Sequence, residues 1–188
     1  DMAEFEVLYT FGIEPLQQYL VSFPGGRLQA LSVAWDTEEN RWFDLYPKST
    51  FSPDDWLHWT RNGQNWNGMC AECHSTNLKK NYDAATSSFD TTWSEIDVSC
   101  EACHGPASLH LAWAEVDPAA RPQIEDYGLV VNTGGLDSRQ QVDLCAPCHS
   151  RRSEFGDYDH TQTHFLDAHL PSLLAEGIYH VDGQILEE

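Results

Sequence analysis

The sequence predicts an α+β fold with much irregular structure, in which an N-terminal antiparallel β-meander precedes a mostly helical and coil region. Two observations lead to this fold class. β-prone runs separated by turn residues occupy residues 5–46, and short helical patches between turns follow from Pro53 onward. The chain has 188 residues, the size of one domain with or without a subdomain. We therefore expect a β-rich subdomain at 1–50 and a second region at 51–188 within one cooperative domain.

Four β-prone runs make up the N-terminal part of the chain. They occupy residues 5–10, 18–23, 27–35 and 41–46. Pro24, Gly25 and Gly26 separate the second run from the third, and residues 36–40 separate the third from the fourth. Short turns between successive strands are typical of an antiparallel meander.

The second part of the chain carries short helical patterns. Helices are expected within residues 54–59, 106–116 and 165–174, and a loop at 117–138. Asp54 and Asp55 follow a proline, as acidic residues do in the first turn of a helix. Pro171 requires a break or a first turn in the last helical segment.

One five-residue motif, Cys-x-x-Cys-His, occurs three times. The copies consist of Cys70, Cys73 and His74; Cys100, Cys103 and His104; and Cys145, Cys148 and His149. Two thiols on one turn can add to the two vinyl groups of a haem, and the adjacent histidine then binds the iron. The motifs predict three covalently bound haem c groups, with His74, His104 and His149 as proximal iron ligands.

Zinc sites and disulfides also use Cys-x-x-Cys pairs, so they are the alternatives to haem. All six cysteines lie inside the three motifs, and a histidine follows the second cysteine each time. Every Cys-x-x-Cys pair is followed by a histidine, so no separate pair remains that could complete a zinc site or a disulfide framework. Aliphatic residues are sparse, whereas tryptophan, tyrosine and histidine are plentiful, which suits an interior filled partly by porphyrin.

The sixth ligand of each iron distinguishes an electron carrier from an enzyme with an open haem. Methionine is a poor candidate, because Met2 lies at the terminus and Met69 directly precedes Cys70. Six histidines remain after the three proximal ones. Four of them are candidate distal iron ligands, namely His58, His110, His169 and His180.

Local sequence supports His58 and His110 in particular. His58 lies among tryptophans and a leucine, where an unpaired imidazole is costly; a hydrogen-bonded core histidine is the alternative. His110 follows His104 by six residues across a Gly-Pro break. This connection is too short for His110 to bind the haem attached at the second motif, but it suits binding to a neighbouring haem.

The remaining histidines differ in their surroundings. His169 has Leu166 and Leu173 at helical spacing, so it is expected to point inward from a shared helical face. His180 precedes a turn that can present it from an extended segment. His160 and His164 lie among acidic residues and threonines, and we expect them to face solvent.

The chain is strongly acidic, with a formal charge of −20 at pH 7. Such a surface favours solubility and disfavours nucleic acid and anionic membranes as partners. A basic redox partner, a cation-rich setting or a halophilic habitat would each also explain the excess. No stretch approaches the roughly 18 apolar residues of a membrane span. Because haem attachment takes place outside the cytoplasm, we expect a periplasmic or extracellular protein whose signal peptide was removed from a precursor.

Residues 66–77 and 100–110, around the first two motifs, resemble bacterial multihaem c-type cytochromes related to the nitrifiers' tetrahaem cytochrome. The sequence is more similar still to the haem region of secreted cytochromes that also carry tetratricopeptide repeats, and this similarity extends over residues 9–46, 145–152 and 177–184. The resemblance implies closely stacked, mainly bis-histidine haems, with His58 and His110 at distal-ligand positions. Members of this family usually carry further haem motifs, so one of the histidines can serve a haem outside this chain.

Together these features predict electron transfer by a trihaem relay of low-potential, mainly bis-histidine haems. The expected partners are redox proteins, among them basic ones, and further haem-bearing or identical chains. The alternative function is that of a multihaem oxidoreductase, which would act on a small nitrogen or sulfur species at one haem with an open site. No residue pattern marks such a site.

Overall fold

The computed structural model describes residues 3–156 and 158–186. The chain forms two compact units, Asp1–Val98 and Ser99–Glu188. The N-terminal sheet and the first Cys-x-x-Cys-His motif belong to the first unit, and the other two motifs belong to the second. The coarse α+β prediction is confirmed, because a five-stranded antiparallel sheet accompanies a few short helices and much irregular backbone.

The sheet of the first unit is built around its second strand. Its members are β1 (Val7–Phe11), β2 (Leu16–Phe23), β3 (Arg27–Ala30), β4 (Val33–Asp36) and β5 (Arg41–Asp44). β2 pairs antiparallel with β1 on one side and with both β3 and β4 on the other, and β5 pairs with β4. The run predicted at 27–35 therefore divides into two strands. It divides because Ala30 pairs with Leu20 in one half of β2, whereas Asp36 pairs with Leu16 in the other half.

The core of the first unit lies where β2 and β3 meet the segment before the first motif. Leu20 and Trp66 are 0% exposed, and Leu28, Ala30 and Ala71 complete the buried cluster. Trp66 supplies the largest apolar surface of this cluster, so the core depends on a residue four positions before Cys70.

A glycine turn joins β2 to β3 and brings a small hairpin against the sheet. The hairpin consists of β6 (Tyr82–Asp83) and β7 (Ser88–Phe89). Gly26 has a φ of 70°, and a Cβ atom there would overlap the carbonyl oxygen of Phe89. Glycine is therefore required by both the backbone conformation and the close approach of the hairpin.

The helix predicted within residues 54–59 is wrong, because turns occupy this segment. The Asp55 carboxylate accepts a hydrogen bond of 2.8 Å from the Leu57 N–H. Such local bonds from side chain to backbone compete with helix formation. Arg61 also holds the preceding loop, since its Nε donates to the Pro53 carbonyl at 2.6 Å. The first α-helix among the described residues is α1 (Trp66–Met69).

The second unit contains four α-helices and one strand pair within its described residues. They are α2 (Cys100–His104), α3 (Ser108–Ala114), α4 (Ser138–His149), β8 (Arg152–Glu154), α5 (Phe165–Ala168) and β9 (His169–Pro171). The helix predicted within residues 106–116 is confirmed as α3. Residues 117–138 are largely irregular, as predicted, apart from short turns.

The helix predicted within residues 165–174 is shorter than expected. α5 ends at Ala168, and the chain continues as β9, in which His169 pairs with Glu154 of β8. Pro171 has no N–H to donate within a helix, and β8 offers the segment a strand partner instead.

Helix α4, which the sequence analysis did not predict, is the longest in the second unit at 12 residues. A capping box begins it: the Asp137 carboxylate accepts from the Gln140 N–H at 2.9 Å, and the Gln140 side chain accepts from the Asp137 N–H at 2.9 Å. The third Cys-x-x-Cys-His motif forms the end of this helix.

Candidate haem-binding motifs and histidines

The first motif lies on a helical turn directly after α1. The His74 N–H lies 3.1 Å from the Cys70 carbonyl oxygen, so the motif closes one turn. Cys70 and Cys73 are half-buried, and burial, followed by the neighbouring Cys73, raises the pKa of the Cys70 thiol to about 11. The His74 ring is exposed and meets the ring of Phe11 edge to face at 5.9 Å between centroids. One short segment therefore carries both sulfur atoms and the imidazole, as thioether attachment requires.

The second motif forms helix α2 itself. The Ser99 hydroxyl accepts from the Glu101 N–H at 3.3 Å and caps the first turn. Gly105, with a φ of 70°, ends the helix directly after the motif. Cys100 and Cys103 are exposed.

The histidine of the second motif has a defined tautomer. His104 Nδ1 lies 2.9 Å from the Val131 carbonyl oxygen, and the Val131 N–H in turn donates to the His104 carbonyl at 3.1 Å. Because a carbonyl oxygen can only accept, Nδ1 carries the proton in the neutral ring and Nε2 keeps its lone pair. His104 can thus bind a metal through Nε2 while Val131 fixes the orientation of its ring.

The third motif lies at the end of α4, with Pro147 inside the helix. Because proline has no N–H, the Asp143 carbonyl four residues earlier loses its helical partner. The Tyr158 hydroxyl replaces that partner by donating to the Asp143 carbonyl at 2.6 Å. Burial, followed by the charges of Asp143 and Asp159, raises the pKa of Tyr158 to about 12, so its hydroxyl remains a donor at neutral pH.

The side chain of Asp143 makes two further bonds. Its carboxylate accepts from His164 Nδ1 at 3.0 Å and from the Phe165 N–H at 3.1 Å. Burial acts to raise the pKa of Asp143, but these hydrogen bonds and the charges of His164 and Arg139 outweigh it and hold the pKa below its ordinary value. The carboxylate is therefore charged at neutral pH.

The thiols of the third motif, Cys145 and Cys148, are exposed, as is His149 at the end of the helix. The six cysteines carry thiols and are not joined in disulfides. Three helical turns, each with two thiols and an adjacent imidazole, are a donor set that fits haem c.

Among the candidate distal ligands, His110 is held most specifically. It lies half-buried on α3, and its Nδ1 is 2.8 Å from the Tyr127 carbonyl oxygen. Asp126 and Tyr127 both adopt left-handed backbone conformations, with φ of 47° and 59°. Such conformations cost about 1 kcal/mol or more per residue. This strained turn brings a carbonyl to His110 Nδ1 and leaves the Nε2 lone pair for a ligand bond.

His58 is half-buried, and its Nδ1 lies 2.8 Å from the Thr60 hydroxyl. Its apolar surroundings are more open than the sequence indicated, because Trp56 is 52% exposed and Leu57 is 38% exposed. The ring lies tilted beside Trp59, at 6.3 Å between centroids.

His169 is 1% exposed, so the predicted inward orientation is confirmed. Its ring stacks on Phe165 at 4.7 Å and meets the edge of Tyr158 at 4.9 Å, and its Nδ1 is 3.2 Å from the Phe165 carbonyl oxygen. The prediction that His169 shares a helical face with Leu166 and Leu173 is wrong. His169 lies on a strand, and the two leucines are 66% and 86% exposed.

His180 is exposed and lies at a turn, as predicted. The Gly183 N–H closes this turn on the His180 carbonyl at 2.9 Å, and the His180 N–H donates to the Gln184 carbonyl at 2.7 Å.

Of the two histidines expected to face solvent, His164 is exposed as predicted and His160 is half-buried, and both also make specific contacts. The His164 side chain is 63% exposed but forms the bond to Asp143 described above. His160 is half-buried, and its Nε2 lies 3.1 Å from the Cys103 carbonyl oxygen at the end of α2.

Tyr158 and Asp143, which support the helix that carries the third motif, were not predicted from the sequence. Pro147 inside a helix was the available signal, because it leaves a carbonyl without its helical partner. Nothing in the sequence identifies Tyr158 as the donor that replaces it. The Val131 and Tyr127 carbonyls were missed because backbone groups carry no residue signature.

Part of the chain is similar to a known protein family. Residues 55–105 match the family described as cytochrome c554 and c-prime. Among solved structures, the outer cell wall cytochrome OcwA matches with a TM-score of 0.44 and 18% identity, over 92% of this chain and 28% of that chain. This chain thus spans less than a third of the length of that cytochrome. No curated protein matches the sequence significantly.

The matched segment contains the first two motifs together with His58. The third motif repeats their spacing in the second unit. The similarity to the cytochrome c554 and c-prime family thus covers about a quarter of the chain, including the first two motifs, and the third motif lies beyond it.

Proposed function

We propose that this protein is a trihaem electron relay, with one haem c bound at each of its three motifs. The observation that carries the proposal is that each motif lies on a helical turn bearing two cysteine thiols and an adjacent histidine. When bound, each haem supplies a one-electron iron couple. The chain supplies the covalent attachment, the axial ligands and the orientation of each group.

Bis-histidine ligation is supported by the hydrogen bonds of the histidine rings. Nδ1 of His104 and His110 lies 2.9 and 2.8 Å from a backbone carbonyl oxygen. Each ring therefore keeps its lone pair on Nε2, and the bond at Nδ1 fixes the ring and increases its basicity as a ligand. We assign His74, His104 and His149 as proximal ligands. His58, His110, His169 and His180 form the set from which the distal ligands are drawn.

We place the protein in the periplasm or outside the cell, because thioether attachment takes place there. No helix within residues 3–156 and 158–186 has both the length and the apolarity needed to cross a membrane. The formal charge of −20 favours a basic redox partner over nucleic acid. Further copies or other haem-bearing chains would extend the relay beyond this chain.

The proposed haem content is tested by intact mass. After acid-acetone extraction, the protein should retain three haem masses, because thioether bonds survive conditions that remove non-covalent haem. A Cys145→Ser, Cys148→Ser double variant should retain two. A wild-type mass with fewer than three haems would contradict the trihaem assignment.

The ligation is tested on the same preparation by optical and electron paramagnetic resonance spectra of the ferric protein. Three low-spin haems are expected for a relay with every iron six-coordinate. A high-spin haem in the wild type would instead indicate an open iron, as an oxidoreductase requires.

The charge leads to a separate prediction about association rates. If the acidic surface steers a basic partner, the rate of electron transfer between the two should fall steeply as salt rises past physiological strength, where the screening length is about 8 Å. Stopped-flow reduction by a cationic cytochrome at several salt concentrations measures this dependence. A rate that does not change with salt would limit the acidity to a role in solubility.

A further inference from the structure

We propose that residues 158–165 form a brace that couples the second and third motifs and fixes the positions of the two haems relative to each other. The inference rests on the proposed function, because it assumes that haem is bound at both motifs. It concerns α2, α4 and the segment between them in the fold, all within the second unit.

One end of the brace is anchored on α4 through Asp143. Tyr158 donates to the Asp143 carbonyl at 2.6 Å, His164 Nδ1 donates to the carboxylate at 3.0 Å, and the Phe165 N–H donates to it at 3.1 Å. Asp143 lies two residues before Cys145, and its side chain is 17% exposed. The three bonds therefore hold the helix at the start of the third motif.

The other contact of the brace is with the end of α2. His160 Nε2 lies 3.1 Å from the carbonyl oxygen of Cys103, a thioether residue of the second motif. The neighbouring Thr161 packs beside Gly105, where a Cβ atom would lie 3.1 Å from the threonine methyl group. The glycine thus permits the brace to lie close against the end of the second motif.

A segment transmits position only if it is stiff, and this one is cross-linked internally. The Asp159 carboxylate accepts from the Thr161 N–H at 2.9 Å, from the Thr161 hydroxyl at 2.6 Å and from the Gln162 amide at 2.9 Å. The Thr163 N–H closes the same turn on the Asp159 carbonyl at 2.8 Å. His160 and His164 are therefore held at the two ends of one rigid turn.

A brace of this kind matters for electron transfer because rates fall steeply with the distance between redox centres. The chain between α2 and α4 is largely irregular apart from α3. Hydrogen bonds to Asp143 of α4 and to the Cys103 carbonyl of α2 therefore limit the relative motion of these two helices. Asp143, Tyr158 and His160 are positioning residues in this scheme, since they act through the backbone that carries the haems.

The test uses hydrogen exchange of the haem-loaded protein with variants at each end. Asp143→Ala removes two acceptors on α4, yet it should increase exchange of the Gly105 and Val131 amides by about tenfold, because α2 loses its support through the brace. His160→Ala should produce the reciprocal effect in α4. Val142→Ala, at a neighbouring position on α4 that is 58% exposed, is the matched control and should change neither region.

Redox titration of the same variants gives the second readout. The midpoint potentials of two haems should shift in both brace variants, while the third potential stays constant. Exchange increases confined to the mutated helix and residues 158–165, or potentials unchanged in all variants, would overturn the brace. His160→Ala keeps the test valid if Asp143→Ala fails to fold. Hydrogen exchange reports on the polypeptide, whereas intact mass reports the number of bound haems. A failure of the trihaem assignment is therefore distinguished from a failure of the brace.

Discussion

Replacing His110 by alanine is expected to convert one haem from low spin to high spin while leaving every covalent attachment intact. The imidazole is the sixth ligand in our proposal, and alanine offers no atom to replace it. The opened iron should bind carbon monoxide when reduced, and its midpoint potential should shift, because the axial ligand strongly influences the haem potential. Optical and electron paramagnetic resonance spectra, carbon monoxide titration and intact mass measure these effects.

Two variants separate loss of the ligand from damage to α3. His110→Met supplies a thioether sulfur, so the haem should remain low spin while its potential rises. Leu109→Ala removes a side chain that is 70% exposed on the same helix and should leave the spectra unchanged. An unaltered low-spin spectrum in His110→Ala would make His110 a packing or surface residue and pass the distal role to His169 or His180.

The strained turn at residues 126–127 supports the choice of His110 for this experiment. Two consecutive non-glycine residues with positive φ are costly, and the turn persists because Asn132 Nδ2 donates to the Asp126 carboxylate at 2.9 Å. The turn places a carbonyl 2.8 Å from His110 Nδ1. Backbone strain that orients one imidazole is expected where that imidazole has a defined role.

Local patterns predicted the N-terminal sheet well because turn residues and alternating β-prone residues are properties of the chain itself. They did not predict the break at Leu31 and Ser32, which depends on β2 pairing with two strands along one side. They also placed a helix at 54–59, where the bonds of Asp55 and Arg61 stabilise turns instead. Pairing with a separate strand decided the first case, and local bonds from side chains to the backbone decided the second.

The candidate site was also predicted only in part from the sequence. The three motifs can be recognised from the sequence because haem attachment requires cysteine and histidine at fixed spacing. The partners that orient the histidines are mostly backbone carbonyls, such as those of Tyr127 and Val131, and a carbonyl is common to all residues. Periodicity suggested that His169 is buried, but the burial arises from a strand and from Phe165 and Tyr158 rather than from a helical face.

The second large effect is expected from Asn67, which joins the sheet to the first motif. Its side chain is buried, at 1% exposed, and uses its full hydrogen-bonding capacity. The amide oxygen accepts from the Leu28 N–H at 2.7 Å and from Asn65 Nδ2 at 3.2 Å. The amide nitrogen donates to the Thr91 hydroxyl at 2.9 Å and to the Gly26 carbonyl at 3.3 Å.

Asn67→Ala should therefore lower the free energy of unfolding by about 2–4 kcal/mol, because it leaves the buried Leu28 N–H without an acceptor and opens a cavity beside β3. Urea denaturation of the haem-loaded protein, followed by far-ultraviolet circular dichroism, measures the loss. Asn62→Ala makes the same substitution at an exposed position five residues earlier and should cost less than about 0.5 kcal/mol. Equal costs for the two variants would show that Asn67 does not tie β3 to the first motif. Since Asn67 lies three residues before Cys70, the destabilised variant should also lose protection from hydrogen exchange at the first motif before the other two.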